Sequence, residues 1–142
     1  MSAAQVYYVL VGGWRVPSGH YTLVISDDHA DTGAWGAATS MVPDEDGHAG
    51  RAGLIESSAD TDLFMYTPAS SGVVNVTLDV VRGFDGWFEF YDASHTLIRR
   101  VNTRGAGADE VWGFTLTQGQ SYFILVGGDL APNGRYTLSV DG

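Results

Sequence analysis

At 142 residues the chain is of single-domain size, long enough to bury roughly 68–70% of the surface an unfolded chain exposes. Hydrophobic residues make up 44% and charged residues 17%, a balance that excludes a disordered tail and a membrane-inserted span. The net charge of −10 argues against binding a nucleic-acid backbone and makes cations the expected partners. The absence of cysteine removes disulfides and thiolate metal sites from consideration.

The chain opens with "YYVLVGGWRVPSGHYTLVIS", Tyr7 to Ser26, and closes with "YFILVGGDLAPNGRYTLSVD", Tyr122 to Asp141. The two align without a gap, and Tyr7, Leu10, Val11, Gly12, Gly13, Pro17, Gly19, Tyr21, Thr22 and Leu23 recur as Tyr122, Leu125, Val126, Gly127, Gly128, Pro132, Gly134, Tyr136, Thr137 and Leu138. Such self-similarity is the mark of a repeat array, so the chain is expected to open on the tail of one unit and run through the next. Residues 1–26 read as a β-hairpin with a Gly/Pro turn. An isolated hairpin is marginal in water. This one is expected either to add to a free sheet edge or to replace the C-terminal hairpin of a neighbouring molecule, a route to self-association.

Residues 27–48 are rich in Asp, Ala and Gly and show no sustained strand or helix period, which predicts an acidic inter-repeat linker. From residue 49 onward, short runs with period-two alternation follow one another: "AGLIES", "TDLFMYTP", "GVVNVTLDVV", "GWFEFYD", "HTLIRRVN", "EVWGFTLT", "QSYFILVGG" and "GRYTLSVDG". Most are punctuated by Gly, Pro, Asn or Asp. Closely spaced short strands predict an all-β fold, an antiparallel sandwich or barrel, over residues 49–142. No segment has helical periodicity.

The phrases "DDHADT", "GLIESSADTDLFMYT", "VVNVTLDV", "FEFYDASHTLIRR" and "SYFILVGGDLAPNGRYTLSV", in this order, resemble the bacterial pre-peptidase C-terminal domain. That resemblance implies a jelly-roll-like β-sandwich, found appended to secreted peptidases and repeated in large surface proteins, and covers the chain from about Asp27 to Val140. Two departures stand out: Ala30 and Asp31 replace the Gly-Asn common in such arrays, and "SSADTD" alters the turn before Asp60 and Asp62.

Calcium takes six to eight oxygens at flexible distances, which closely spaced carboxylates and loop carbonyls supply. By the resemblance, Asp27, Asp28, Asp31, Asp60 and Asp62 are the candidate calcium ligands; the competing reading is a solvated acidic linker. "PDEDGHAG", Pro43 to Gly50, does not fit an EF-hand loop and reads as a surface turn. His20, His29, His48 and His95 lack a spaced ligand motif, and His29 is expected to hydrogen-bond the linker turn. No nucleophile motif occurs, so the chain is expected not to be an enzyme. Trp14 and Trp35 are the candidate exposed aromatics for stacking on a sugar or gripping a peptide, whereas Trp87 and Trp112 are expected in the core. These readings converge on a calcium-assisted structural or adhesive spacer of a secreted or cell-surface bacterial protein, in contact with neighbouring repeats. The alternative is a targeting module that binds polysaccharide or fibrous protein for an attached enzyme.

Overall fold

The computed structural model describes residues 29–129 and 134–142. The segment expected to form the opening hairpin, with Trp14, Asp27 and Asp28, therefore lies outside the described residues. Among the described residues nine strands follow in order: β1 Thr39–Met41, β2 Ala49–Ile55, β3 Asp62–Tyr66, β4 Gly72–Val80, β5 Asp85–Tyr91, β6 Leu97–Val101, β7 Glu110–Leu116, β8 Tyr122–Asp129 and β9 Gly134–Asp141. Every run singled out by alternation from residue 49 onward is a strand.

Two sheets form, in the order β1-β3-β8-β5-β6 and β2-β9-β4-β7. All ladders are antiparallel except β1 with β3. Taken from β2 to β9, the eight strands trace a jelly roll: first, eighth, third and sixth in one sheet, second, seventh, fourth and fifth in the other. The period-two pattern fixes which side chains face the other sheet. Val74, Val76, Leu78 and Val80 of β4, Phe88 and Phe90 of β5, and Tyr136, Leu138 and Val140 of β9 all lie in the shared core. Phe90 stacks on Phe114 at 4.0 Å between centroids and on Tyr122 at 5.6 Å, an offset aromatic column that joins the two layers.

The linker expectation is corrected at its C-terminal half. Residues Trp35–Ala37 form a single 3-10 turn and Thr39–Met41 form β1, which pairs parallel to β3 with Thr39 opposite Phe64. A three-residue strand is too short to leave an alternation signature, and what holds it is tertiary. Trp35 packs with Leu63, Phe123 and Leu125 on the outside of the first sheet, forming a second small hydrophobic cluster.

The expectation that Trp87 and Trp112 are core is also corrected. Trp87 shares its strand face with Asp85, Glu89 and Tyr91, all half-buried, and packs in that outer cluster rather than between the sheets. Trp112 has the inward parity of Phe114, yet β7 is the last strand of its sheet and the indole stays 37% exposed. Among the described residues no helix is long and apolar enough to cross a membrane.

Candidate functional site

The segment that leads into the sandwich is fastened to it at several points. His29 spans two elements, with Nδ1 2.9 Å from Thr39 Oγ1 and Nε2 2.9 Å from the Ala52 carbonyl, and its ring rests on Phe64 at 4.6 Å. One main-chain bridge follows, Leu63 N–H to the Ala30 carbonyl at 2.7 Å, and then Thr32 N–H donates to Thr61 Oγ1 at 3.1 Å. Further along, Trp35 stacks face to face on His95 at 4.3 Å and meets Tyr91 and Phe123 edge-on. His95 reaches this position through a left-handed backbone, φ 62°, which is uncommon for a residue with a Cβ. Tyr91 is partly buried in the same cluster. Burial, reinforced by its hydrogen bond to Glu89, pushes its phenol up to about 12.

These contacts set Asp31 beside Thr61, hence beside the stretch that carries Asp60 and Asp62. Their environments differ. Asp60 Oδ2 accepts from Glu56 N–H at 2.7 Å and closes the β2–β3 turn. Asp62 is fully buried, its Oδ2 accepting the hydroxyl of Tyr136 across the gap between the sheets. Gly53 makes room for that pair, since a Cβ there would lie 2.2 Å from the Tyr136 oxygen and 2.8 Å from Asp62 Oδ2. Among the described residues no three His, Asp or Glu side chains converge as a metal group. Asp31 and Asp60 come to one end of the sandwich, while Asp62 is turned inward. Nothing in the spacing of "DTD" distinguishes an inward from an outward carboxylate. Tyr136, its partner, recurs as Tyr21 in the sequence repeat, the one signal that could have pointed to this pair.

A second buried carboxylate, Glu110, organises the β6–β7 loop at the same end. It is fully buried and accepts from Thr103 N–H at 2.9 Å, Thr103 Oγ1 at 2.7 Å and Arg104 N–H at 2.6 Å. Its neighbour Asp109 accepts from Val80 N–H at 3.1 Å. At the opposite end the turn "PDEDGH" is closed by Asp44, whose Oδ1 accepts from Asp46 N–H and His48 N–H, the surface turn its composition predicts. His48 in turn pairs with Asp141 at the end of β9.

Among the described residues, the Phe, Tyr or Trp side chain most open to solvent is Trp112. Arg99 lies over its ring at 3.5 Å, and Leu97 and Ile98 on neighbouring β6 are each about half exposed. Trp35, by contrast, is half-buried in the outer cluster. An open groove of about 440 Å³ crosses the outside of the second sheet, lined by Leu54, Asp79, Arg135 and Thr137 among others. Its lining includes no histidine, and the hydroxyl of Tyr136 turns away from it, into the space between the sheets, to meet Asp62.

The expectation of a C-terminal hairpin is corrected: β8 lies in the first sheet and β9 in the second, so the closing strands cap both layers without pairing with each other, and glycines fit each to its surroundings. Trp87 lies flat on Gly127, where a Cβ would fall 2.2 Å from the indole. The buried Phe84 ring fills the space that side chains at Gly128 and Gly134 would need, at 2.4 and 1.9 Å.

Neither protein-family models nor curated proteins match the chain. Among solved structures it is similar to the pre-peptidase C-terminal domain of a collagenase from Bacillus anthracis, with a TM-score of 0.56 and 18% identity over 73% of this chain and 94% of that one. The two share a fold. It is also similar to PliG of Aeromonas hydrophila, a periplasmic inhibitor of g-type lysozyme, with a TM-score of 0.45 and 17% identity over 73% of this chain and 96% of that one. The pre-peptidase-like fold accounts for the order of the motifs: the Gly-x-Ile step is Gly53–Ile55 of β2, the Asp-x-Asp-x-Phe run leads into β3, and the Tyr-rich ending is β8 and β9.

Proposed function

We propose that the chain is a non-catalytic, calcium-assisted β-sandwich spacer of a secreted or cell-surface bacterial protein, whose entry segment is clamped so that successive units swing little. The docking of residues 29–38 through His29, Ala30, Thr32 and Trp35 carries this reading. A flexible tether would need none of those contacts. Calcium would be held by Asp27, Asp28, Asp31 and Asp60, whose hard carboxylate oxygens suit it. Asp62 is left out of the set because its carboxylate ties the two sheets together. With a Kd of ~10⁻⁴–10⁻³ M, as in extracellular modules, about 10 mM calcium would add roughly 1.4–2.7 kcal/mol. That is enough to order a linker and too little to create the fold. Thermal unfolding with calcium and with chelator tests the metal: a rise in Tm with calcium that disappears in Asp27→Ala/Asp28→Ala supports it, and an unchanged Tm removes calcium from the reading.

The exposed Trp112 favours a second reading, a targeting module for polysaccharide or fibrous protein. Arg99 over the exposed indole offers a cationic and aromatic stacking face. Retention on insoluble polysaccharide or collagen that Trp112→Ala abolishes, and that Trp35→Ala reduces only with loss of fold, would establish it. Passage without retention would end it.

A further inference from the structure

We propose that residues 7–26 carry a second copy of the closing strand pair, able to fill the β8–β9 slot, one strand in each sheet, in the sandwich of another copy of this chain. This rests on the environments of the described residues in that slot, compared with what the opening segment carries at the equivalent positions, 115 residues earlier.

Eight β8–β9 residues are buried in the two hydrophobic clusters: Tyr122, Phe123, Ile124, Leu125, Val126, Tyr136, Leu138 and Val140. The opening segment has Tyr7, Tyr8, Val9, Leu10, Val11, Tyr21, Leu23 and Ile25 there. Five are identical, and the other three keep an aromatic or branched aliphatic side chain. Three glycines are imposed by contact: Gly127 under Trp87, and Gly128 and Gly134 against Phe84. All three recur, as Gly12, Gly13 and Gly19. The tyrosine whose hydroxyl meets Asp62 recurs as Tyr21. Divergence falls mainly where a side chain is not wholly enclosed: Asp129, Arg135, Ser139 and Asp141 stand against Trp14, His20, Val24 and Ser26. Chance similarity would not sort by burial in this way. A segment shaped for this slot would.

The geometry directs the segment to another copy. Were it seated in its own sandwich, Ser26 would occupy the place of Asp141, at the end of β9 next to Asn75. Ala30 is bridged to Leu63 at the opposite end, the level of Asp62 and Tyr136. From Tyr136 to Asp141 is about 17 Å along the strand, and the sheets stand about 10 Å apart. The four-residue step from 26 to 30 reaches at most roughly 14 Å. With the entry segment docked as it is, the chain cannot close its own sandwich twice. The resident strand pair is favoured by its tether, so the donor enters where β8 and β9 open or fail. Joining is then head to tail, a heterologous contact that need not close on itself.

The full chain tests this with two valines. Gly134→Val sets a branched side chain into the buried Phe84 ring and disables the resident strand pair, leaving the opening segment as the replacement. The expected result is a folded Gly134→Val protein whose light-scattering mass is two chains or more, and an unfolded Gly19→Val/Gly134→Val protein by circular dichroism; Gly19→Val alone stays folded. Gly134→Val that unfolds as completely as the double variant would overturn the proposal. So would a double variant as well folded as the single one, or a folded Gly134→Val monomer.

Discussion

The hydroxyl of Tyr136 on β9 donates to the buried carboxylate of Asp62 on β3, joining the two sheets at the end where the entry segment docks. Removing the donor leaves a carboxylate inside without that partner. Tyr136→Phe preserves the ring's packing, so its cost reports on the bond alone. Hydrogen bonds to charged groups contribute about 1.5–3 kcal/mol. Tyr136→Phe is expected to lower the urea midpoint accordingly, equally with calcium and with chelator. A loss seen only with calcium would instead make Asp62 a metal ligand.

Gly127 and Trp87 form a steric pair. Gly127→Ala forces the indole off the strand it covers and with it the Arg100 guanidinium, which lies 4.0 Å over the ring. Overpacking of this kind costs about 1–3 kcal/mol. The variant is expected to unfold at lower urea and to shift the tryptophan emission to the red as the ring becomes wetter. Unchanged emission would mean that the backbone moves in place of the ring.

The order of the strands was legible because the jelly roll alternates buried and exposed residues along β4, β5 and β9. The parity of β5 even marks Trp87 as a neighbour of Glu89 rather than of Phe88, though its apolar character hid this. Trp112 shows the limit of parity. It points inward, but only the position of β7 at a sheet edge leaves it exposed, and edges are set by strand order. Asp62 was legible as an oxygen donor and not as an inward one, because every other residue of β3 is apolar and the strand is covered on both faces. The turn at Trp35 and the three residues of β1 leave no period at all. The Phe84 ring explains the glycines at 128 and 134, and Trp87 the one at 127.

Glu110 holds three donors of the β6–β7 loop from inside the sandwich. Glu110→Gln keeps the shape but replaces one acceptor oxygen by an NH₂ group that faces donors. Since Thr103 and Arg104 are exposed, water can take over part of the loss, which limits the cost to about 1–3 kcal/mol. Hydrogen exchange at the amides of Thr103 and Arg104 is expected to accelerate well before exchange in β4. Uniform acceleration throughout would mean that the carboxylate supports the whole fold rather than its loop.

The His48–Asp141 pair ties the β1–β2 turn to the last strand and gives the protein a pH dependence of predictable sign. The hydrogen bond to Asp141, followed by the attraction of its charge, raises the imidazole above its ordinary value of 6.5. The folded state therefore holds this proton more tightly than the unfolded chain. The stabilisation is complete below pH 6.5 and is lost as pH rises through the raised value of the folded state. A histidine titration followed by NMR is expected to show His48 above 6.5 in the native protein and back near it in Asp141→Asn. The urea midpoint of the native protein is expected to fall between pH 6 and 8, with the fall reduced in Asp141→Asn. An equal fall in both would assign the dependence to other groups. The pair is solvent-exposed on both sides, so added salt is expected to shrink the difference between the two proteins.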